Sequence, residues 1–496
     1  MASIVGLAGY NRSASAVNKL FAVFGNDIVD VDAGTGYGQN LTPNTNGEFA
    51  SYLDYAFFVN GTNNTRSFNG TLWSQAGMRN HAPIAKYIQL YGTKLFLGYV
   101  TINGQTFPSR VWYTDNPQNY DAQWGLEWGT SMDQAASSAV VTADGTYFKS
   151  YGIKAGDPLF ILTGANAGQY VVQSVDTNNQ LTLTENLVAT ATNSNFIVGS
   201  NYFDVRTEDN DYLRGLGENS NRLLCYKLFS LYRYNGSSLL QVPGAVGTSS
   251  NRSIINNVGG FSFYFHGSEG AVTGVYRYDG TESIKVSSAI QPYIDGISAS
   301  NFASVIGWSE GEWVRMYVGD ITNSQRNISV TKAVLSYNAV TNEWSVDPIN
   351  KVPTAKATFI ESSARKIFFG DNAGEVFQTP SGYSFDGEPI PFAAETGPHY
   401  PISSETMLRY TRLQVIARDA RGVRVRYKLY NTPRDVDDQW LPLGEISGDK
   451  TEFNIPLTHN RGAGYNIRFE ESGIRENTQY IEKVSMFYQS EGTTMI

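Results

Sequence analysis

The stretch RLLCYKLFSLYRYNG, residues 222–236, decides the fold. It is an apolar strand, a tight turn, and an aromatic strand that ends on Asn-Gly. The same unit returns at residues 260–280 as GFSFYFHGSEGAVTGVYRYDG, ending on Asp-Gly. Looser copies begin at Lys19, Asp54, Lys94, Glu312 and Lys366. Units about 40–50 residues apart, each holding several short strands, are the signature of propeller blades. Asn-Gly and Asp-Gly between apolar runs mark hairpins, because both residues tolerate positive φ. The expected architecture is an all-β β-propeller of about seven blades, six being the alternative count.

Composition points the same way. The chain has 496 residues, with 48 Gly, 31 Tyr and 26 Phe, and long Ala-Leu-Glu-Lys runs are nearly absent. Such a composition favours strands and turns over helices. The size is ample for a large core without metal or disulfide staples.

Two breaks interrupt the rhythm. Residues 132–199 carry their own short strands, with turns at 164–168 and 176–179, and read as a small inserted β-barrel or sandwich. Loop tips accept insertions because added loop length costs little entropy. Beyond Pro398-His399-Tyr400-Pro401 the alternation becomes clean, at Val423, Val425, Tyr427 and Leu429 and again at Phe453, Ile455 and Leu457. One face is buried and the other wet, as in a sandwich of about six strands. The expected domains are therefore a propeller (1–131 and 200–396), the insertion (132–199) and a C-terminal β-sandwich (397–496).

Charge and motifs narrow the function. The net charge is −9 and the 37 basic residues are dispersed, unlike the clustered footprint of a protein that grips nucleic acid. An acidic wall would let DNA slide past. The single cysteine, Cys225, excludes an intramolecular disulfide and reads as a small buried hydrophobe. The start lacks a basic region followed by an apolar stretch, so no secretory leader is expected, and no window is apolar enough for a membrane span. The Asn-x-Ser/Thr triplets at Asn60, Asn64 and Asn69 therefore read as turn composition.

Chemistry has few places to reside. His81, His266, His399 and His459 have no metal-ligand spacing to one another or to Cys225, so no cofactor is expected. Gly34-Thr35-Gly36-Tyr37-Gly38 has the glycine spacing of a phosphate-binding turn but no helix after it, which leaves a hairpin loop. Glu310 and Glu312, between Trp308 and Trp313, are the candidate acids of a glycan-binding or glycan-cleaving propeller; the plainer reading is a solvated hairpin tip. Asp204, Asp209 and Asp211 form the one weak calcium candidate, without the spaced order of a dedicated loop. Arg418, Arg421, Arg424, Arg426 and Lys428 are the only basic run, either a solvated sheet face or a dock for an acidic partner.

Several of these residues also carry a resemblance. Tyr113-Thr114-Asp115, Trp124, Phe203 to Val205, Asn210-Asp211, Leu213 to Leu216, Leu223 to Leu228 and Tyr232 to Gly236 follow a blade pattern. That pattern is similar to the β-propeller tail nozzle, or DNA-stabilisation, proteins of short-tailed bacteriophages. WLPLGE (440–445), residues 453–457, Arg461-Gly462 and FEESG (469–473) resemble that family's closing sandwich. The similarity covers most of the chain outside 132–199. It implies a structural virion protein of the tail, made in the host cytoplasm, with no catalytic residues. Copies would form a homo-oligomeric ring, a hexamer on the family pattern, below the portal and its adaptor and in contact with tail fibre proteins. Viral DNA would pass through the bore without sequence-specific binding, during retention and ejection.

Overall fold

The computed structural model describes residues 2–12, 17–52, 54–75, 82–114, 124–268, 272–361, 364–379, 384–385, 388–389, 392–397, 399–403, 406–420, 422–430, 440–471 and 480–490. His81, Asp115 and Arg421, named above, lie outside them. The chain is all-β and splits into two compact units, Met1–Pro380 and Ser381–Ile496.

Among the described residues, the first unit holds seven antiparallel up-and-down sheets. Their leading strands are, in order, Ile4–Arg12, Glu48–Tyr52, Ile84–Tyr91, Gly215–Asn219, Ile255–Val258, Ile306–Glu310 and Pro353–Glu361. Six of the sheets have four strands and the seventh has three. The repeat is built by local chemistry. Between the third and fourth strands of the second, fourth, fifth and sixth sheets, an Asn or Asp side chain accepts two backbone N–H groups just ahead of it. These are Asn69 from Thr71 and Leu72, Asn235 from Ser237 and Ser238, Asp279 from Thr281 and Glu282, and Asn338 from Val340 and Thr341. A short side chain that caps its own turn closes the hairpin wherever this unit recurs.

Apolar clusters lie between consecutive sheets. Tyr10 and Phe21 meet Phe58, Phe68 and Trp73 across the first and second. Phe57 and Val59 meet Leu95, Leu97 and Trp112 across the second and third. Cys225 sits with Phe96, Val111 and Leu223 between the third and fourth. Tyr226 meets Tyr264 and Tyr278, and Phe263 and Phe265 meet Met316 and Leu335. Trp308 and Tyr317 meet Ile367 and Phe369 between the sixth and seventh. Ile4 and Leu20 then meet Ala355 and Ala357, so the seventh sheet packs on the first. Each sheet thus buries both faces, which explains why its strands read as continuous apolar runs.

The insertion interrupts the third sheet between Gln105–Tyr113 and Tyr202–Asp204. It is a closed six-stranded barrel, in strand order Glu127–Gln134, Val140–Ala143, Gln180–Leu183, Gly168–Val175, Pro158–Ile161 and Ala191–Val198. Met132, Val141, Leu159, Val172, Leu181 and Phe196 fill it. Strand Glu127–Gln134 pairs on both sides to close the barrel, so the module begins ahead of residue 132.

In the second unit, one four-stranded sheet contains Phe392–Glu395, Gly464–Glu471, Arg424–Tyr430 and Leu441–Glu445. Another gathers Lys450–Asn454, Arg461–Gly462 and Tyr480–Ser490 around Leu408–Arg418. Leu413 and Val415 of one share a core with Tyr427, Ile467 and Phe469 of the other. Because Phe392–Glu395 hydrogen-bonds to Gly464–Glu471, this unit starts before the expected residue 397.

Candidate functional site

A leading strand has no room on the side where it meets its neighbours. Gly9 shows the constraint: a Cβ there would lie 2.7 Å from the Thr358 carbonyl oxygen of the seventh sheet. Into this narrow region the second, fifth and seventh leading segments project polar side chains, which bond to backbone groups of the other four.

Glu48, at the start of the second leading strand, is the only acid of this set. Asn251 donates its side-chain amide to Glu48 Oε1, and the Ile88 N–H of the third sheet lies 3.4 Å from Oε2. Asn251 in turn accepts the Leu216 N–H of the fourth sheet at 3.0 Å. Arg252 donates to the Thr354 carbonyl of the seventh sheet and, at 2.8 Å, to the Val5 carbonyl of the first. Lys356 donates to the carbonyls of Arg252 and Ile254 at 3.0 and 3.1 Å and to that of Gly307 in the sixth sheet. Asn256 accepts the Glu218 N–H at 3.0 Å. Every one of the seven sheets contributes a group.

The electrostatics follow from enclosure. Burial pushes the Glu48 carboxyl up to about 7, against the Asn251 hydrogen bond and the Arg252 and Lys356 charges, which pull it down. Burial brings Lys356 down to about 8, with Glu48 opposing. It brings Arg252 down to about 10, again opposed by Glu48. Desolvation outweighs pair attraction for all three, the usual balance for enclosed ions. The arrangement ties sheets together; its cations are spent on backbone carbonyls.

The residues singled out in the sequence serve other ends. Arg110 clasps both Asp204 oxygens at 2.8 Å. Lys227, whose side chain is fully enclosed, donates to Asp209 at 2.6 Å and to the Asp211 carbonyl at 2.9 Å. Burial opposes ionisation of Asp209, but the hydrogen bonds from Lys227 and the Asp211 N–H hold its carboxyl below the usual range. Asp211 accepts the Leu228 and Phe229 N–H groups at 2.9 and 3.0 Å. The calcium candidate is thus three carboxylates with three separate tasks, and no metal-binding group of acids, His or Cys occurs among the described residues.

Glu310 accepts the Trp308 indole N–H at 3.0 Å and lies 2.9 Å from Arg315 Nε, while Glu312 is exposed at the hairpin tip. In the basic run, Arg426 pairs with Glu470 at 3.0 Å and Arg424 lies 3.7 Å from Glu445. Lys428 is buried over the Tyr430 ring, and Arg418 is exposed at its strand end. The stripe is largely neutralised by acids of the adjacent strands. Thr35–Gly36 is the fourth strand of the first sheet, so the glycine-rich segment is a hairpin. His266 is buried between the Gly247 carbonyl and Ser268, His459 contacts Thr458, and His399 stacks edge-on with Tyr465. Cys225 is buried, which pushes its thiol up.

Sequence reading missed Glu48, Asn251, Arg252 and Lys356 because they are scattered along the chain and form no local motif. The one signal was a charged residue inside an otherwise apolar leading strand, as in Ala355-Lys356-Ala357.

Among the described residues no helix is long and apolar enough to cross a membrane. No protein-family model matches the chain, and no curated protein matches it. Among solved structures it is similar to the computationally designed Ika8 protein, at 9% identity and a TM-score of 0.32, covering 76% of this chain and 96% of that one. It is also similar to the phage phi92 endosialidase, at 10% identity and 0.28, over 74% of this chain and 62% of that one. Kluyveromyces lactis Hsv2 follows at 9% identity and 0.27, over 71% and 98%.

Proposed function

We propose that the seven sheets are the blades of one closed propeller and that the protein is a mechanical, non-enzymatic part of a short-tailed bacteriophage tail. Copies assemble as a ring below the portal and adaptor, and DNA is conducted and retained between them. The observation that carries this reading is the Glu48–Asn251–Arg252–Lys356 network, which bonds all seven leading segments to one another. Such a network suits a stiff disc, because each tie joins sheets far apart in sequence. It also places side chains among the leading strands, and on this reading the DNA path runs between copies. The acidic balance of −9 suits a wall along which DNA slides, and the motifs at residues 110–115 and 203–236 carry the resemblance to tail nozzle proteins.

Assembly around a symmetry axis requires heterologous, head-to-tail contacts. Sedimentation of the purified chain, alone and with a cognate adaptor, tests the reading. The expected result is a discrete ring-sized species and no turnover of bacterial surface polysaccharide. A monomer under all conditions, together with polysaccharide cleavage lost in Glu310→Gln, would replace this reading with a glycosidase.

A further inference from the structure

Beside the network stand two cations, Lys86 and Arg214, with no carboxylate at ion-pair distance among the described residues. Lys86 lies in the third leading strand and Arg214 just ahead of the fourth. Lys86 is held below the usual lysine range by burial and then by Arg214, with the more distant Glu48 charge opposing. Arg214 Nε is enclosed and has no hydrogen-bond partner.

Both cations are set among tyrosines. The Lys86 ammonium is 5.5 Å from the Tyr87 ring and 5.3 Å from the Tyr99 ring. The Arg214 guanidinium is 3.9 Å from the Tyr212 ring, and Tyr212 meets Tyr99 edge-on at 5.9 Å. Tyr99 reaches this place at a cost. It lies where the pairing with Gln105–Tyr113 slips register, residues 108–110 of that strand bulging opposite it, and it has a φ of +57° that a tyrosine seldom adopts. Bulges re-aim side chains next to binding sites, and strain persists where function needs it. Gly61, at φ +78°, lets the neighbouring loop close over the Lys86 stem, where a Cβ would come within 3.3 Å.

We propose that this patch binds the carboxylate of an acidic sugar, with Lys86 and Arg214 pairing the anion and Tyr99 and Tyr212 supporting the flat face of the ring. Arg is suited to bidentate carboxylate recognition, and aromatic walls with a few charged groups are the usual lining of a small-ligand site. A polyanionic nucleic acid fits poorly, since it would meet two cations on a chain of net charge −9.

Titration calorimetry of the full chain with glucuronate tests this, with glucose as the uncharged control and a single-stranded oligonucleotide as competitor. The expected result is saturable glucuronate binding below ~10 mM, at least about tenfold tighter than glucose, and weakened about tenfold in Lys86→Gln, the loss of one charge-assisted contact. Tyr99→Asn separates function from folding. Asn tolerates positive φ, so this variant should melt no lower than the wild type while losing about tenfold in affinity. No binding, binding as tight as the wild type in either variant, or displacement by the oligonucleotide would each overturn the proposal.

Discussion

Replacing Glu48 by Gln should stabilise the first unit at alkaline pH and leave it nearly unchanged at acid pH. The sign follows from the raised carboxyl. Between the ordinary value of 4.5 and the native value of about 7, the native state holds a proton that the unfolded chain has released. Stability therefore falls as pH rises through that window and stays low above it. The integrated cost is about 3 kcal/mol at pH 8 and under about 1 kcal/mol at pH 5, taking about 1.4 kcal/mol per pH unit. Gln keeps the shape and the Asn251 hydrogen bond but never ionises. The value of about 7 already includes the attraction to Arg252 and Lys356, so the variant is ahead by about 2 kcal/mol more at pH 8 than at pH 5. Urea unfolding followed by tryptophan fluorescence reads this directly, since seven of the eight tryptophans lie in the first unit. An advantage that is flat with pH, or a variant less stable at pH 8 than at pH 5 relative to wild type, would refute the enclosure of Glu48.

Three further outcomes follow from the packing and the ion pairs. Gly9→Ala should cost about 1–3 kcal/mol in urea unfolding by forcing a methyl against Thr358 and Phe359, where the first and seventh sheets meet, whereas Gly448→Ala, with open space around it, should cost next to nothing. Lys227→Met should destabilise by about 3–5 kcal/mol, because Asp209 and two carbonyls lose their shared enclosed cation, and calorimetric melting would register it. Millimolar calcium or a chelator should shift the melting temperature by less than ~1 °C, since Asp204, Asp209 and Asp211 already have protein partners; a shift of several degrees would restore the calcium reading.

The repeat was legible in the sequence because its information is local. Asn69, Asn235, Asp279 and Asn338 cap turns through their own following residues, and strand Val140–Ala143 alternates exposed and buried positions by a period of two. Domain edges were less legible. Phe392–Glu395 belongs to the second unit because of a partner strand some seventy residues later, and Glu127–Gln134 belongs to the barrel because its pairings close it. The network was illegible for the same reason in stronger form: Glu48, Arg252 and Lys356 become neighbours only when distant leading strands converge. The acids that stood out in the sequence, Glu310 and Asp209, stood out for their density, and each is occupied by a nearby cation that density alone does not reveal.

The most direct test of the account is a cryo-electron microscopy map of the assembled protein. The account predicts a ring of copies, each a disc of seven radial sheets with side chains filling its own centre, and with the open bore between the copies. Solitary subunits, or DNA density threading the middle of a single subunit where Glu48, Arg252 and Lys356 should lie, would contradict it.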